Sequence, residues 1–247
     1  MKWGIVVVMA FVAILAAAPA TLVDQIVQEA SGGELRVGQA EGSVWRGRGV
    51  VSAIDVGTRT WRTWHPVEWS FDPLAVFQGW IAWRLTVDGK DAARLEFGPR
   101  RWRVSQLEVD GPARFFLQRI PNPVAKLGWE GDIRLGVDTL ECAWSGSDCD
   151  GHVSAQWGDA GCDVLPGQVF GDYAIVATGI AGNFKFDLKT QSGVVHIAGI
   201  GNFSAERQLS LAATVKGPPQ LLSRLPAVAG PWAKPTDVAD TWKIAFP

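Results

Sequence analysis

The residues best suited to chemistry lie in one short polar stretch, Asp148-Cys149-Asp150-Gly151-His152. A thiol near an imidazole suggests a nucleophile with its base, and two carboxylates near a glycine suggest a calcium loop. The acidic spacing and the position of the glycine do not match a calcium-binding loop. Cys149 and His152 are three residues apart in a predicted strand, which directs them to opposite faces. We therefore interpret the stretch as the end of a β-hairpin.

The three cysteines are compatible with an exported protein, because thiols are oxidised outside the cytoplasm. Cys142 and Cys149 flank residues 145–148, and a hairpin turning there would place the two thiols opposite each other. A disulfide between them is one interpretation, and Cys162 is then the odd thiol. The connectivity among the three stays open. The absence of a C-x-x-C pair disfavours a zinc site.

The remaining polar residues form no recognisable active site. Of the three histidines, His152 belongs to the stretch above, and His65 and His196 are isolated in the sequence, which is typical of surface or hydrogen-bonded imidazoles. The chain contains no G-x-S-x-G elbow, no P-loop and no G-x-G-x-x-G before a helix. The sequence therefore predicts that the protein is not an enzyme, with no catalytic, cofactor-binding or metal-binding residues and no cofactor.

The amino-acid composition argues against two further classes, nucleic-acid-binding proteins and disordered chains. The 247 residues include 23 Lys and Arg against 25 Asp and Glu, so the net charge of −2 argues against a nucleic-acid partner. A hydrophobic fraction of 47% excludes a disordered chain. Thirteen Trp and 28 Gly favour strands and tight turns over long helices.

The elements that must position these residues are predominantly β-strands. Apolar and polar side chains alternate in Gly182–Leu188, Leu209–Val215, Ile133–Val137 and Trp242–Phe246, as strands with one solvated face require. Parallel βαβ units are excluded, because no long amphipathic helix interrupts the strands. The pattern predicts a mainly β protein built on a curved antiparallel sheet, a half-barrel or groove-like meander, with a few short helical turns such as Asp72–Gly79.

The N-terminal segment Trp3–Val23 carries no charge and follows Lys2. At 1.5 Å rise per residue it covers about 30 Å, enough to span a bilayer once. The basic flank places the N-terminus in the cytoplasm and the rest of the chain on the far side. A cleaved signal peptide is the alternative, with small residues at Ala16–Ala18. We favour a retained anchor, because apolar residues continue at helical spacing until Ser31–Gly33 ends the helix.

The chain is thus predicted to have two parts. Residues 1–31 form a short cytoplasmic tail and a transmembrane anchor helix. Residues 32–247 form one exported antiparallel β domain, because no Ser/Gly linker or charge run divides them.

The segment Gly42–Arg48, with the sequence G-S-V-W-R-G-R, differs in character from the strands around it. Arg46 or Arg48 stacked on Trp45 would make a contact patch. Alternatively, the segment packs its tryptophan into a core and leaves the arginines in water. Side-chain chemistry alone favours packing.

This segment also resembles a family signature. Gly42, Ser43, Val44, Trp45 and Gly47 resemble the G-T-V-W-x-G-x-A motif of type II secretion system protein N, usually called GspN. Other similar features fall in the same order as in that family: Ala18-Pro19-Ala20 and Leu22-Val23 where its anchor ends, Val67-Glu68-Trp69, Pro73-Leu74, Gly79-Trp80-Ile81, Gly151-His152-Val153 running to Trp157, and Gly171-Asp172-Tyr173. The C-terminus departs from the family, because Asp237–Trp242 stands where its members tend to show D-G-x-Y.

The resemblance implies a non-enzymatic accessory component of the bacterial machine that exports folded proteins from the periplasm across the outer membrane. It implies a single-pass inner-membrane protein with a periplasmic β domain, whose partners are other type II secretion components in the inner membrane or periplasm. From the residues alone, a periplasmic lipid-binding groove anchored in the inner membrane is the alternative. A bent sheet lined by Trp, Phe, Ile and Leu could hold an acyl chain, although core packing explains the same residues.

Overall fold

The computed structural model describes residues 16–55, 60–117, 127–204 and 209–246. The chain divides into two compact units, Met1–Pro99 and Arg100–Pro247. Residues 1–15, which include the first thirteen residues of the predicted anchor segment Trp3–Val23, lie outside the described residues.

The first unit is built from antiparallel strands that neighbour one another in chain order. They are β1 (Leu35–Gly42), β2 (Arg46–Asp55), β3 (Thr60–Asp72), β4 (Ile81–Val87) and β5 (Lys90–Phe97). Helix α1 (Thr21–Ala30) precedes β1, and a 3₁₀ helix (Pro73–Gln78) joins β3 to β4.

The core of the first unit lies between α1 and one face of the sheet. Its buried residues are Ala20, Val37, Val67 and Trp69. Partly buried side chains packed around them are Val23, Val27, Ala40, Val51, Trp83, Leu85 and Val87. Burying this apolar surface stabilises the unit by about 25 cal/mol for each Å² removed from water.

The second unit repeats the antiparallel pattern with more strands. They are β6 (Arg101–Pro112), β7 (Trp129–Ala143), β8 (Cys149–Cys162), β9 (Gly171–Ile180), β10 (Asn183–Gly193), β11 (His196–Phe203), β12 (Leu209–Lys216), β13 (Ala233–Pro235) and β14 (Thr241–Phe246). Neighbours follow chain order as far as β12, after which β14 pairs with β12 and β13 pairs with β14. The helices are α2 (Ala113–Leu117), α3 (Pro219–Leu222), α4 (Leu225–Ala229) and a 3₁₀ turn (Gly230–Trp232).

Local sequence accounts for the tight hairpins. Asp88-Gly89 joins β4 to β5 with φ of 51° and 76°, and Ala181-Gly182 joins β9 to β10 with φ of 50° and 77°. Two successive positive φ angles are characteristic of type I′ turns, whose twist matches that of the flanking strands. The glycine in each pair removes the Cβ that would oppose this conformation.

The predicted class, a mainly β antiparallel protein with few helices, is confirmed. The two-residue period is visible in β10, where exposed and half-buried side chains alternate from Asn183 to Gln191. The hairpin interpretation of Asp148–His152 is also confirmed, because β7 and β8 pair on either side of residues 144–148.

The N-terminal helix differs from the prediction of one uninterrupted helix through to Ser31. Residues 17–20 are not helical, and α1 begins only at Thr21. Pro19 has no N–H to donate, and the backbone groups on either side of it bond to the β1–β2 turn instead. Within the described ranges, no helix is both long and apolar enough to cross a bilayer.

Candidate functional site

The motif residues Gly42–Gly47 form the turn between β1 and β2, which we call the motif loop. The Ser43 N–H donates to the Arg46 carbonyl oxygen at 2.9 Å, and the Arg46 N–H donates to Ser43 Oγ at 3.2 Å. Gly42 begins the turn with a φ of 92°, in the region that favours glycine. The hydroxyl of Ser43 therefore helps to close a tight turn.

Gly47 occupies a position that has no space for a side chain. A Cβ there would lie 2.5 Å from the carbonyl oxygen of Glu41 and 2.6 Å from Cζ2 of Trp69. Such distances are far shorter than van der Waals contact. The motif therefore requires glycine at this position because strand backbone and an indole ring meet there.

Two tryptophans from neighbouring strands hold the carbonyl groups of the motif loop. Nε1 of Trp69, on β3, donates to the Ser43 carbonyl oxygen at 2.9 Å. Nε1 of Trp83, on β4, donates to the Val44 carbonyl oxygen at 2.9 Å. Each bond satisfies a backbone acceptor while the apolar body of the indole is buried. The loop is thus fixed by side chains from two other strands.

The indole of Trp45 completes an aromatic cluster. Its ring centroid lies 4.9 Å from that of Phe71 in an edge-on arrangement and 6.1 Å from that of Trp83 in a stacked one. Arg48 instead forms an ion pair with Glu41, with Nη2 and Oε2 2.7 Å apart. These contacts support the packing interpretation of the motif.

The motif loop binds the segment that precedes α1. The Val44 N–H donates to the Ala18 carbonyl oxygen at 3.0 Å, and the Ala20 N–H donates to the Gly42 carbonyl oxygen at 3.1 Å. Pro19 lies between them in an antiparallel bridge with Ser43. We call Ala18–Ala20 the docking segment. The motif therefore has a structural task that its sequence does not reveal, which is to hold the chain as it enters the first unit.

Helix α1 then covers the edge of β1. Oδ1 of Asp24 accepts the Val37 N–H at 2.7 Å, and Oγ of Ser31 accepts the Leu35 N–H at 2.9 Å. These donors belong to the strand that has no sheet neighbour beyond it in the described residues. Covering an edge in this way opposes pairing with a foreign strand.

The second unit contains a different candidate site, an apolar cavity of about 250 Å³. It is partly open to solvent and is lined by residues of strands β7 to β12 and β14, the loop before β9, and helices α3 and α4. The lining residues are Trp129, Trp157, Leu165, Phe170, Tyr173, Leu188, Val195, Ile197, Leu211, Ala213, Val215, Leu221, Leu222, Leu225, Ala229 and Ile244. Every one of these side chains is hydrocarbon or aromatic, so the cavity favours an apolar occupant.

The polar atoms of the aromatic wall are already hydrogen-bonded. The Tyr173 hydroxyl donates to the Val195 carbonyl oxygen at 2.9 Å, and Nε1 of Trp157 donates to the Glu130 carbonyl oxygen at 2.9 Å. Burial, together with the negative charge of Asp172, raises the pKa of Tyr173 to about 12. The hydroxyl therefore stays protonated at neutral pH and serves as a structural donor.

The predicted cysteine pair lies at the end of the β7–β8 hairpin. Cys142 and Cys149 are directly opposite in the ladder, with Cα atoms 4.0 Å apart, and their sulfurs are joined in a disulfide. Cys162, at the far end of β8, is a buried free thiol. Burial raises the pKa of that thiol, which keeps it protonated and unreactive at neutral pH.

An ion-pair network borders the disulfide. Nη2 of Arg103 lies 2.7 Å from Oε2 of Glu141, and Nη1 of Arg101 lies 3.3 Å from Oε1 of the same carboxylate. Arg101 also bonds to Asp148, next to Cys149. The hydrogen bond from Arg103, followed by that from Arg101, lowers the pKa of Glu141 against the opposing effect of burial. The network links β6 to both strands of the hairpin.

Metal-binding clusters are not found where the structure is described: no group of three His, Cys, Asp or Glu residues could hold an ion there. His65 instead contacts Asp88, with Nδ1 and Oδ2 2.8 Å apart at the surface. The sequence reasoning did not identify Trp69 and Trp83 as partners of the motif. The sequence signal that could have identified these two tryptophans is their position in strands close to a glycine-rich turn.

The fold and the motif loop define a mainly β protein whose most distinctive residues hold an N-terminal segment against a sheet. Comparison with known families then identifies the group. A family model described as type II secretion system (T2SS), protein N, matches residues 33–229, most of the chain, and the chain belongs to this family. The predicted family is therefore confirmed, and with it involvement in type II secretion and an envelope setting consistent with that machine. No curated protein and no solved structure matches the chain.

Proposed function

We propose that this protein is a non-enzymatic accessory component of the type II secretion system, anchored in the bacterial inner membrane by the charge-free N-terminal segment that precedes the docking segment. The chain from Ala18 onward, including α1 and the predicted β domain 32–247, then lies in the periplasm and supports export of folded proteins across the outer membrane. The observation that carries this proposal is the family match over residues 33–229, and the docking segment, Ala18–Ala20, held by backbone hydrogen bonds to the motif loop, supports attachment at the N-terminus.

Docking explains why an anchored protein would keep the motif. The charge-free residues from Trp3 onward continue in the sequence to Ala18 without a Gly/Ser-rich linker. A rigid attachment fixes the orientation of the first unit relative to the bilayer. A loosely tethered domain would pay an ordering entropy at every encounter with a partner.

The partners would be other inner-membrane or periplasmic components of the same machine. Because α1 and Ser31 occupy edge donors of β1, strand addition at that edge is disfavoured. Partner contacts are expected on other surfaces of the two units.

The test is complementation of a strain that lacks the gene. Wild-type protein should restore secretion, and Gly47→Val, which removes the space beside Trp69, should leave cargo in the periplasm. Gly38→Ala is the matched control, because a Cβ there would lie 3.8 Å from the nearest atom, the Val50 carbonyl oxygen. Unchanged secretion in the deletion strain, with the other components assembled normally, would contradict the proposal. Alkaline extraction of membranes tests the anchor, and a protein released with an N-terminus beyond Ala18 would indicate a cleaved signal peptide.

Acyl-chain binding is a second candidate function, and the apolar cavity of the second unit favours it. Its volume, about 250 Å³, exceeds the roughly 150 Å³ apolar cavity that admits benzene. It falls below the roughly 300 Å³ at which drug-sized sites begin. A cavity of this volume has room for a single narrow hydrocarbon chain. The polar head of such a ligand would stay outside, because burying it without hydrogen bonds is unfavourable.

The cavity can be tested with a fluorescent linear fatty acid, cis-parinaric acid, on the purified full chain. Ala213→Phe fills the cavity from β12, whereas Ala212→Phe adds the same ring at a neighbouring exposed residue. Binding to wild type and to Ala212→Phe, with at least a tenfold weaker affinity of Ala213→Phe, is the expected result. Equal binding by both variants would place the probe elsewhere, and no binding to wild type would reject this function.

A further inference from the structure

The 3₁₀ helix Pro73–Gln78 presents large apolar side chains to solvent. Leu74 is 69% exposed, Val76 52% and Phe77 88%. Residues 73–83 contain no charged side chain. Contiguous exposed apolar residues of this kind mark sites that contact a membrane or another macromolecule.

These exposed side chains lie on a turn whose two ends are fixed by hydrogen bonds. Oδ1 of Asp72 accepts the Leu74 N–H at 3.1 Å and so caps the helix start. At the other end Gly79 adopts a φ of 81°, and its N–H donates to the Val76 carbonyl oxygen at 3.0 Å. Ala75, 2% exposed, faces inward and fixes which side chains point outward. The fold therefore holds Leu74, Val76 and Phe77 in solvent.

This turn lies at the same end of the first unit as the motif loop. The Phe71 N–H, just before the turn, donates to the Trp45 carbonyl oxygen at 2.6 Å. The docking segment bonds to that same loop through Val44. The apolar N-terminal stretch therefore joins the first unit at the end from which the turn projects.

Chain length places this end close to the bilayer. If the anchor ends with the last helical residue before the docking segment, Trp3–Ala16 supplies fourteen residues, which would cover about 21 Å as a helix. The hydrocarbon core is about 30 Å thick. A segment shorter than the hydrocarbon core is accommodated by local thinning of the bilayer or by movement of the neighbouring part of the protein into the interface. A neighbouring surface that is apolar can enter the interface without the cost of desolvating a charged side chain.

We propose that Leu74, Val76 and Phe77 insert into the periplasmic face of the inner membrane, so that the first unit is seated on lipid at two points, the anchor and this turn. The inference rests on the proposed anchoring. Phe77 and the nearby Trp80 have the aromatic character favoured at membrane interfaces. The exposed Arg46 of the motif loop pairs with Ser70 at this end of the unit, where its guanidinium can bind phosphate oxygens of lipid headgroups.

The test is photo-crosslinking of the full chain in vesicles of phosphatidylethanolamine and phosphatidylglycerol. Benzoylphenylalanine replaces Phe77 in one variant and Trp61 in the control. Trp61 is 44% exposed at the opposite end of β3, and ten residues of strand lie between it and Asp72, a distance of up to about 36 Å. A headgroup region is only about 5–8 Å deep on each side, and seating the motif-loop end of the unit on lipid directs Trp61 away from the bilayer, so the control is expected in water.

Lipid adducts at position 77, at least tenfold more abundant than at position 61, are the expected result. Because Phe77 is so exposed, its replacement leaves the core intact, and an unchanged unfolding transition verifies this. Vesicle flotation after an alkaline wash separates the two hypotheses. A protein that floats but forms no lipid adduct at position 77 would overturn the inference alone, and one that does not float would overturn the anchoring itself. In cell membranes, a protein adduct at position 77 in place of lipid would assign the turn to a partner and also overturn the inference.

Discussion

The two units use the same kind of antiparallel sheet in different ways. In the first unit, Trp69 and Trp83 fill the space beside the motif loop, and their indole N–H groups bind its carbonyl oxygens. In the second unit, short side chains such as Ala213 on β12 and Ala229 at the end of α4 line a cavity of about 250 Å³. The first arrangement immobilises backbone, whereas the second leaves room for an occupant. The strand pattern alone does not distinguish these outcomes.

The largest effect on stability is expected from placing a side chain at Gly47, where strand backbone and an indole ring meet in the first unit. Gly47→Val forces a side chain into the space held by Trp69 and the Glu41 carbonyl, and we expect a loss of about 3 kcal/mol in the free energy of unfolding. Urea denaturation followed by tryptophan fluorescence measures it. Gly38→Ala, at the open position on β1, should stay within about 0.5 kcal/mol of wild type. Equal stability of the two variants would show that the motif glycine is dispensable.

A change of similar size is expected at the β7–β8 hairpin of the second unit. Replacing Cys142 and Cys149 by alanine removes a crosslink that closes an eight-residue loop, which contributes about 2–3 kcal/mol in the chain-entropy view. Calorimetry of the variant and of reduced wild type should give the same lowered transition. Insensitivity of wild type to reductant would contradict the prediction. The motif loop has no disulfide and should keep its own stability under reduction.

Replacing a buried alanine by valine should stabilise the second unit and destabilise the first. Ala213→Val adds two carbons to the cavity wall, and we expect about 1 kcal/mol of stabilisation. Ala82→Val adds the same atoms to a residue that is 0% exposed in the closely packed first unit, where overpacking destabilises by about 1–3 kcal/mol. Thermal unfolding of the pair is a matched measurement. Destabilisation by both would mean that the cavity is not available space.

The smallest expected effect is the acid sensitivity of the ion-pair network. Arg103, with Arg101, lowers the pKa of Glu141 in the folded state, so this carboxylate contributes stability above its unfolded pKa. That contribution is lost as pH falls from about 4.5 through the lower folded pKa, because the carboxylate must then be protonated. Glu141→Gln should flatten this part of the stability profile and leave a smaller difference between pH 7 and pH 3. A profile identical to that of wild type would exclude Glu141 as a contributor.

The sequence was most informative where the signal was local. Alternating residues in β10 and β12 predicted strands, and the spacing around residues 145–148 predicted the hairpin. It was least informative at the N-terminus, where a helical period from Leu22 to Ala30 suggested continuity with the preceding apolar residues. The interruption at Ala18–Ala20 depends on bonds to a turn more than twenty residues away in the chain, which no local pattern encodes.

The sequence by itself determined the family, the antiparallel β class and the positions of the glycine-rich turns, because each depends on residue types at short separations. Only the tertiary structure decided what the motif holds and where space remains. Trp69 and Trp83 meet the motif loop through long-range strand pairing, and the cavity lies where side chains of α3, α4 and strands between β7 and β14 come together. Both features depend on how distant side chains fit together, and that fit is settled only when the chain is packed.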